Sequence, residues 1–94
     1  MRLARNEITL LKEKLTSLSG EAKLYLFGSR VDDSKRGGDI DLLVVSKKLT
    51  KKDLRQLRVA FFKVFGEQKL DIILDDGTFT KPFHKMISKK AVLL

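Results

Sequence analysis

The sequence contains no cysteine, which excludes disulfides, thiolate zinc sites and cysteine nucleophiles together. Its one histidine, His84, is too few for a multi-histidine metal centre. Any metal must then be held mainly by oxygen ligands, which selects a hard ion such as Mg²⁺ or Mn²⁺. No apolar run approaches the roughly 20 residues needed to span a bilayer. The opening stretch "MRLARNEITLLKEKL" carries charge throughout, where a signal peptide has an apolar core. These absences predict a soluble, cytoplasmic protein with no membrane partner. Repeats, linkers and low-complexity tracts are also missing, and 94 residues suit a single domain over 1–94.

What is present is a globular composition, 43% hydrophobic and 34% charged. The formal net charge of +8 is unevenly spread. Residues 47–69 carry eight Lys/Arg against only Asp53 and Glu67, while the flanking segments nearly balance. Such a region either faces an anionic partner or forms a well-solvated surface.

Hydrophobic spacing gives the element order. Ile8, Leu11, Leu15 and Leu18 recur at 3-4-3 intervals, predicting an amphipathic helix over about 4–18 that ends at Ser19-Gly20. "KLYLFGS" (23–29) reads as a strand stopped by Gly28, and "RVDDSKRGG" (30–38) as a loop. "DIDLLVVS" (39–46) is the strongest strand. Thr50 and Asp53 form a capping pair for a second helix, whose buried face is Leu54, Leu57, Phe61, Val64 and Phe65 and whose C-terminal stop is Gly66. Lys51, Arg55 and Arg58 occupy another face of that helix. "KLDIIL" (69–74) is a third strand and "DDG" (75–77) a turn. Phe79, Phe83, Met86 and Ile87 suggest a short last helix with Pro82 in its first turn, and "AVLL" (91–94) either a brief strand or a packed tail. The order α-β-β-α-β-α describes an α/β (α+β) fold, a small mixed sheet of three or slightly more strands covered by helices. The helix between the second and third strands lets them lie side by side.

One feature of this pattern is at odds with simple burial. In "GGDIDLLVV" (37–45), Asp39 and Asp41 enter an aliphatic strand. Strand alternation puts them on one face, about 6.6 Å apart along the backbone, with Ile40, Leu42 and Val44 turned to the core. Asp71 lies one residue into the third strand and lands on the same face if the strands are neighbours. Three close carboxylates repel, and a divalent cation relieves them. Upstream, "LFGSR" (26–30) ends a strand in Gly28-Ser29, whose backbone N–H groups and hydroxyl suit phosphate oxygens. Arg30 adds a permanent charge.

Gly28-Ser29, nine intervening residues and then Asp39-Ile40-Asp41, with Asp71 on a later strand, resembles the signature of the DNA polymerase β-like nucleotidyltransferase superfamily. "LFGSRVDDSKRGGDIDLLVV" is similar in particular to the minimal nucleotidyltransferases of bacteria and archaea, including the MntA-like antitoxins. The resemblance covers nearly the whole chain and implies the nucleotidyltransferase fold. The loop departs from the pattern, with extra acids in "VDDSKRGG" and glycine before Asp39 where many relatives have serine.

The resemblance implies transfer of a nucleoside monophosphate, AMP from ATP, to a hydroxyl, with pyrophosphate leaving. Asp39 and Asp41 would clamp two Mg²⁺ ions, Mn²⁺ serving as a substitute, and Asp71 would complete the metal set and act as general base. Gly28 and Ser29 would cradle the nucleotide phosphates, with Arg30, Lys35 and Arg36 on the leaving group. Relatives of this size work beside a HEPN-domain ribonuclease toxin, which they neutralise by modifying a tyrosine, so that partner and an antitoxin role are implied as well. Two other readings stay open: an inactive relative acting through partner contact alone, and a nucleic-acid-binding module using the 47–69 region. His84 reads as a surface or half-buried residue. Phe61, Phe62, Phe65, Phe79 and Phe83 read as core, not as base-stacking platforms.

Overall fold

The computed structural model describes residues 3–31 and 39–94. Helix α1 (Arg5–Leu18) is followed by strand β1 (Lys23–Phe27) and a 3₁₀ turn over Gly28–Val31. Then come β2 (Ile40–Val45), α2 (Lys51–Phe65), β3 (Leu70–Asp75), α3 (Pro82–Ser88) and β4 (Val92–Leu93). The fold is α+β, a mixed four-stranded sheet in the order β3-β2-β1-β4. β1 runs antiparallel to both β2 and β4, and β2 runs parallel to β3. A parallel pair needs a crossover, and α2 supplies it.

Local chemistry sets the helix starts. The Glu7 carboxylate accepts the Ala4 N–H at 3.0 Å, and Asp53 accepts the Thr50 N–H at 2.8 Å, each satisfying a donor that its helix leaves unused. Gly66 closes α2 with φ of 82°, a conformation that favours glycine.

Period-two alternation divides the sheet. Leu24 and Leu26 of β1, Ile40, Leu42 and Val44 of β2 and Leu70 of β3 join Leu11 and Leu15 of α1 and Leu54, Leu57 and Phe61 of α2 in one buried cluster. The two long helices therefore cover the same face. The other face carries Asp41, Leu43 and Val45 of β2 beside Asp71, Ile73 and Asp75 of β3.

Several expectations need adjusting. The first strand is stopped by Gly28 as expected, but the residues from Gly28 to Val31 wind into a 3₁₀ turn. Val64 is 61% exposed, because it sits at the margin of the α2 stripe in the last turn. Phe83 and Met86 are also outside, at 51% and 61% exposure. Their place is set by His84, which is buried at 9% exposure where a surface or half-buried residue was expected. Its Nδ1 lies 2.8 Å from Asp75 Oδ1, and that bond fixes the rotation of α3 so that His84 and Ile87 point inward. "AVLL" forms β4, pairing through Tyr25↔Leu93 and Leu26↔Val92. Among the described residues, no helix is long and apolar enough to cross a membrane.

Candidate functional site

The site is built where two parallel strands begin. Asp39 stands just before β2, Asp41 is its second residue, and Asp71 is the second residue of β3. The register pairs Ile40 with Leu70 and Asp41 with Asp71. Residues paired in this way share a face, so Asp41 and Asp71 stand side by side on the side away from α1 and α2. On the buried side, Ile40 and Leu42 are wholly inaccessible. The aliphatic residues fix the strand, and that fixes where the carboxylates emerge.

Phe27, the last residue of β1, is paired with Asp41 from the other side. The turn that follows is thereby brought against the acids. Gly28 has φ of 80°, and a Cβ there would overlap Asp41 Oδ2 and stand 3.1 Å from Asp41 Cγ. Glycine is required at this position on both counts, backbone conformation and space. Ser29 and Arg30 continue the same turn, and the Arg30 side chain is half-buried. The Gly-Ser turn and the Asp-x-Asp strand thus form one locus. Lys35 and Arg36, assigned to the leaving group in the sequence reading, lie outside the described residues.

The electrostatics are unfavourable to the carboxylates themselves. Burial pushes the Asp41 carboxyl above its ordinary range, and the negative charges of Asp71 and Asp39 push it further the same way. Lys69 opposes this only weakly. Its Nζ lies 3.4 Å from Asp39 Oδ2, in an exposed ion pair. As placed, the Asp39 carboxylate turns to Lys69, and among the described residues no three acidic or histidine side chains meet in metal-ligating geometry. Asp41 and Asp71 come together directly; Asp39 flanks them, held by a lysine.

Sequence reasoning overlooked Lys69 as a partner, because in the sequence it is one more cation of the basic 47–69 region. It also overlooked Asp75, assigned to a turn. That carboxylate is 5% exposed and accepts the N–H groups of Gly77 at 2.7 Å and Phe79 at 3.2 Å in addition to His84. Burial alone would raise its pKa, but the His84 bond and the two backbone donors outweigh this and leave it below the usual carboxylate range. Asp75 is therefore ionised and His84 Nδ1–H is the donor. The role of this pair is to pin α3 to the end of β3, at the opposite end of the strand from Asp71.

No curated protein matches the chain. A family model, that of the nucleotidyltransferase domain, matches residues 8–92 and so spans β1 to β3, the Gly-Ser turn and the three aspartates, ending at the first residue of β4. With the turn and the acids gathered at one end of a mixed sheet, that match settles the class: the chain belongs to the nucleotidyltransferase-domain family of the polymerase β-like superfamily, whose chemistry is transfer of a nucleoside monophosphate.

Proposed function

We propose that the protein is a divalent-metal-dependent enzyme that moves AMP from ATP to a hydroxyl on a partner protein, and that it serves as the antitoxin of a HEPN-type ribonuclease. The observation that carries the reading is the Asp41–Asp71 pair beside Gly28: two carboxylates on one face, one of them closed against a turn that only glycine lets it approach.

The donor set fits a hard divalent ion. All the ligand candidates are carboxylate oxygens, and burial, followed by their mutual repulsion, raises the Asp41 carboxyl above its ordinary range. Asp39, Asp41 and Asp71 are the residues that would hold it, with Asp39 released from Lys69. When bound, such an ion neutralises triphosphate charge and makes an attacking hydroxyl more acidic.

The remaining work falls to the chain itself. The N–H groups of the Gly28–Val31 turn bind phosphate oxygens, and the missing side chain at Gly28 lets the Asp41 carboxylate stand directly against that turn. Arg30 balances charge gathering on the departing pyrophosphate. Asp71 is the more exposed of the paired acids and takes the proton from the acceptor hydroxyl as the new P–O bond forms and the α–β phosphoanhydride bond breaks. Orientation and charge placement supply most of the acceleration in such transfers.

The test is incubation of the protein with each α-³²P-labelled NTP, Mg²⁺ and a lysate of the source cells. Label from ATP alone on a single protein band, absent with Asp41→Asn, supports the proposal. Label only in RNA or DNA overturns the protein-acceptor part. Recovery of a small helical ribonuclease as the labelled band supports the antitoxin role, and its recovery unlabelled would overturn that role.

A further inference from the structure

Among the described residues, β3 is the edge strand of the sheet, paired only with β2. The bonds from Ile40 N to the Lys69 carbonyl and from Ser46 N to the Asp75 carbonyl show which backbone groups face β2. Residues 69, 71, 73 and 75 turn toward β2, so by alternation Leu70, Ile72 and Leu74 direct their N–H and C=O groups to the open side. One of these groups is occupied, since the Leu70 carbonyl accepts a bond from Arg58 Nη2 at 3.1 Å. No strand covers the rest among the described residues.

This edge forms the floor of a groove of about 410 Å³. One wall is α2, contributing Lys51, Arg55 and Arg58, and the other includes Lys81 at the start of α3. None of these four cations is paired with a carboxylate among the described residues. Arg58 Nε, moreover, is buried without a hydrogen-bond acceptor, an arrangement that costs free energy until an acceptor arrives.

Proteins often guard an exposed edge with lysine or proline on the strand itself. β3 has neither, and its middle is Ile72-Ile73-Leu74. The positive charge comes instead from the flanking helices. That arrangement repels a second copy of the same basic edge, which would bring like charges together, and it attracts an acidic strand.

We propose that the open edge of β3 docks an extended acidic segment of a partner protein. The segment adds to the sheet as a fifth strand, bonding the backbone of Ile72 and Leu74 and placing its carboxylates among Lys51, Arg55, Arg58 and Lys81. Backbone pairing supplies the register and the cations supply the selectivity. Docking requires neither nucleotide nor metal, so it stands or falls apart from the transfer reaction.

The probe is a capped, fluorescent peptide of about ten residues alternating Glu with Val and Thr, titrated against the full chain. Saturable binding is expected, weakened about tenfold or more by Lys51→Glu with Arg55→Glu and abolished by N-methylating alternate amides of the peptide. In the unmutated protein, the Ile72 and Leu74 amide protons are expected to exchange more slowly with peptide bound. This second arm needs no variant to fold. The proposal is overturned by absence of peptide binding, by undiminished binding of the N-methylated peptide, or by unchanged exchange at Ile72 and Leu74. It is equally overturned if single-stranded oligothymidylate binds more tightly than the peptide and displaces it, which would make the groove a nucleic-acid site.

Discussion

Gly28 and Asp41 are in such close approach that the turn backbone and the carboxylate could not both keep their places if residue 28 had a side chain. Gly28→Ala combines a left-handed backbone, at about 1–2 kcal/mol, with displacement of Asp41. We expect a folded protein that melts several degrees lower and loses about 100-fold or more in transfer rate, since small misplacements at a reacting centre are that costly. Far-UV circular dichroism and a labelled-nucleotide assay read the two effects separately.

Asp41→Asn should separate stability from activity. Burial and the neighbouring acids raise the Asp41 pKa in the folded state. For a raised acid, stability is greatest below the unfolded carboxylate pKa and is lost as pH rises through the folded value. At neutral pH without divalent ions, removing the charge therefore raises the melting temperature while abolishing transfer. The stabilisation by Mg²⁺ expected for the unmutated protein should shrink or vanish in the variant. Thermal melts in EDTA and in Mg²⁺ provide the comparison.

Lys69 pairs with Asp39 and, under the proposed reaction, would compete with metal for it. The pair is exposed, and such pairs contribute about 0–1 kcal/mol. Lys69→Gln should accordingly lower the Mg²⁺ concentration for half-maximal activity, by up to about fivefold. An unchanged or increased metal requirement would show that Lys69 has another role in the reaction.

Asp75 should make the protein sensitive to acid. Its pKa is lowered in the folded state, so its stabilisation is present above the unfolded carboxylate pKa and disappears as pH falls through the lower folded value. Asp75→Asn should cost about 1–3 kcal/mol at neutral pH and flatten the acid limb of a urea-denaturation series. Because Asp75 lies at the far end of β3 from Asp71, the Mg²⁺ dependence of transfer should change little.

The aliphatic alternation of Ile40, Leu42 and Val44 was enough to orient β2, and hence to put Asp39 and Asp41 on the outward side. The Asp71 placement needed a second inference, that α2 is a crossover, and the Asp41↔Asp71 register bears it out. What was not legible depended on partners distant in sequence. His84 reads as a lone polar residue until Asp75 is brought to it, and that bond turns Phe83 and Met86 outward against their hydrophobicity. Lys69 likewise looked like one more cation of a basic region, because an ion pair across adjacent strands leaves no periodic trace. The charge of Lys51, Arg55 and Arg58 was visible as a helix face; that it borders an open strand edge was not.

Under the proposed reaction, the parallel pairing of β2 and β3 also governs when the molecule can act. Asp41 and Asp71 are thirty positions apart in the chain, and only the completed β2–α2–β3 crossover makes them neighbours. A nascent chain that has emerged only as far as α2, or a molecule whose edge strand has frayed, holds half of the acid pair. Nucleotide turnover under the proposed reaction then requires the intact long-range contact between β2 and β3.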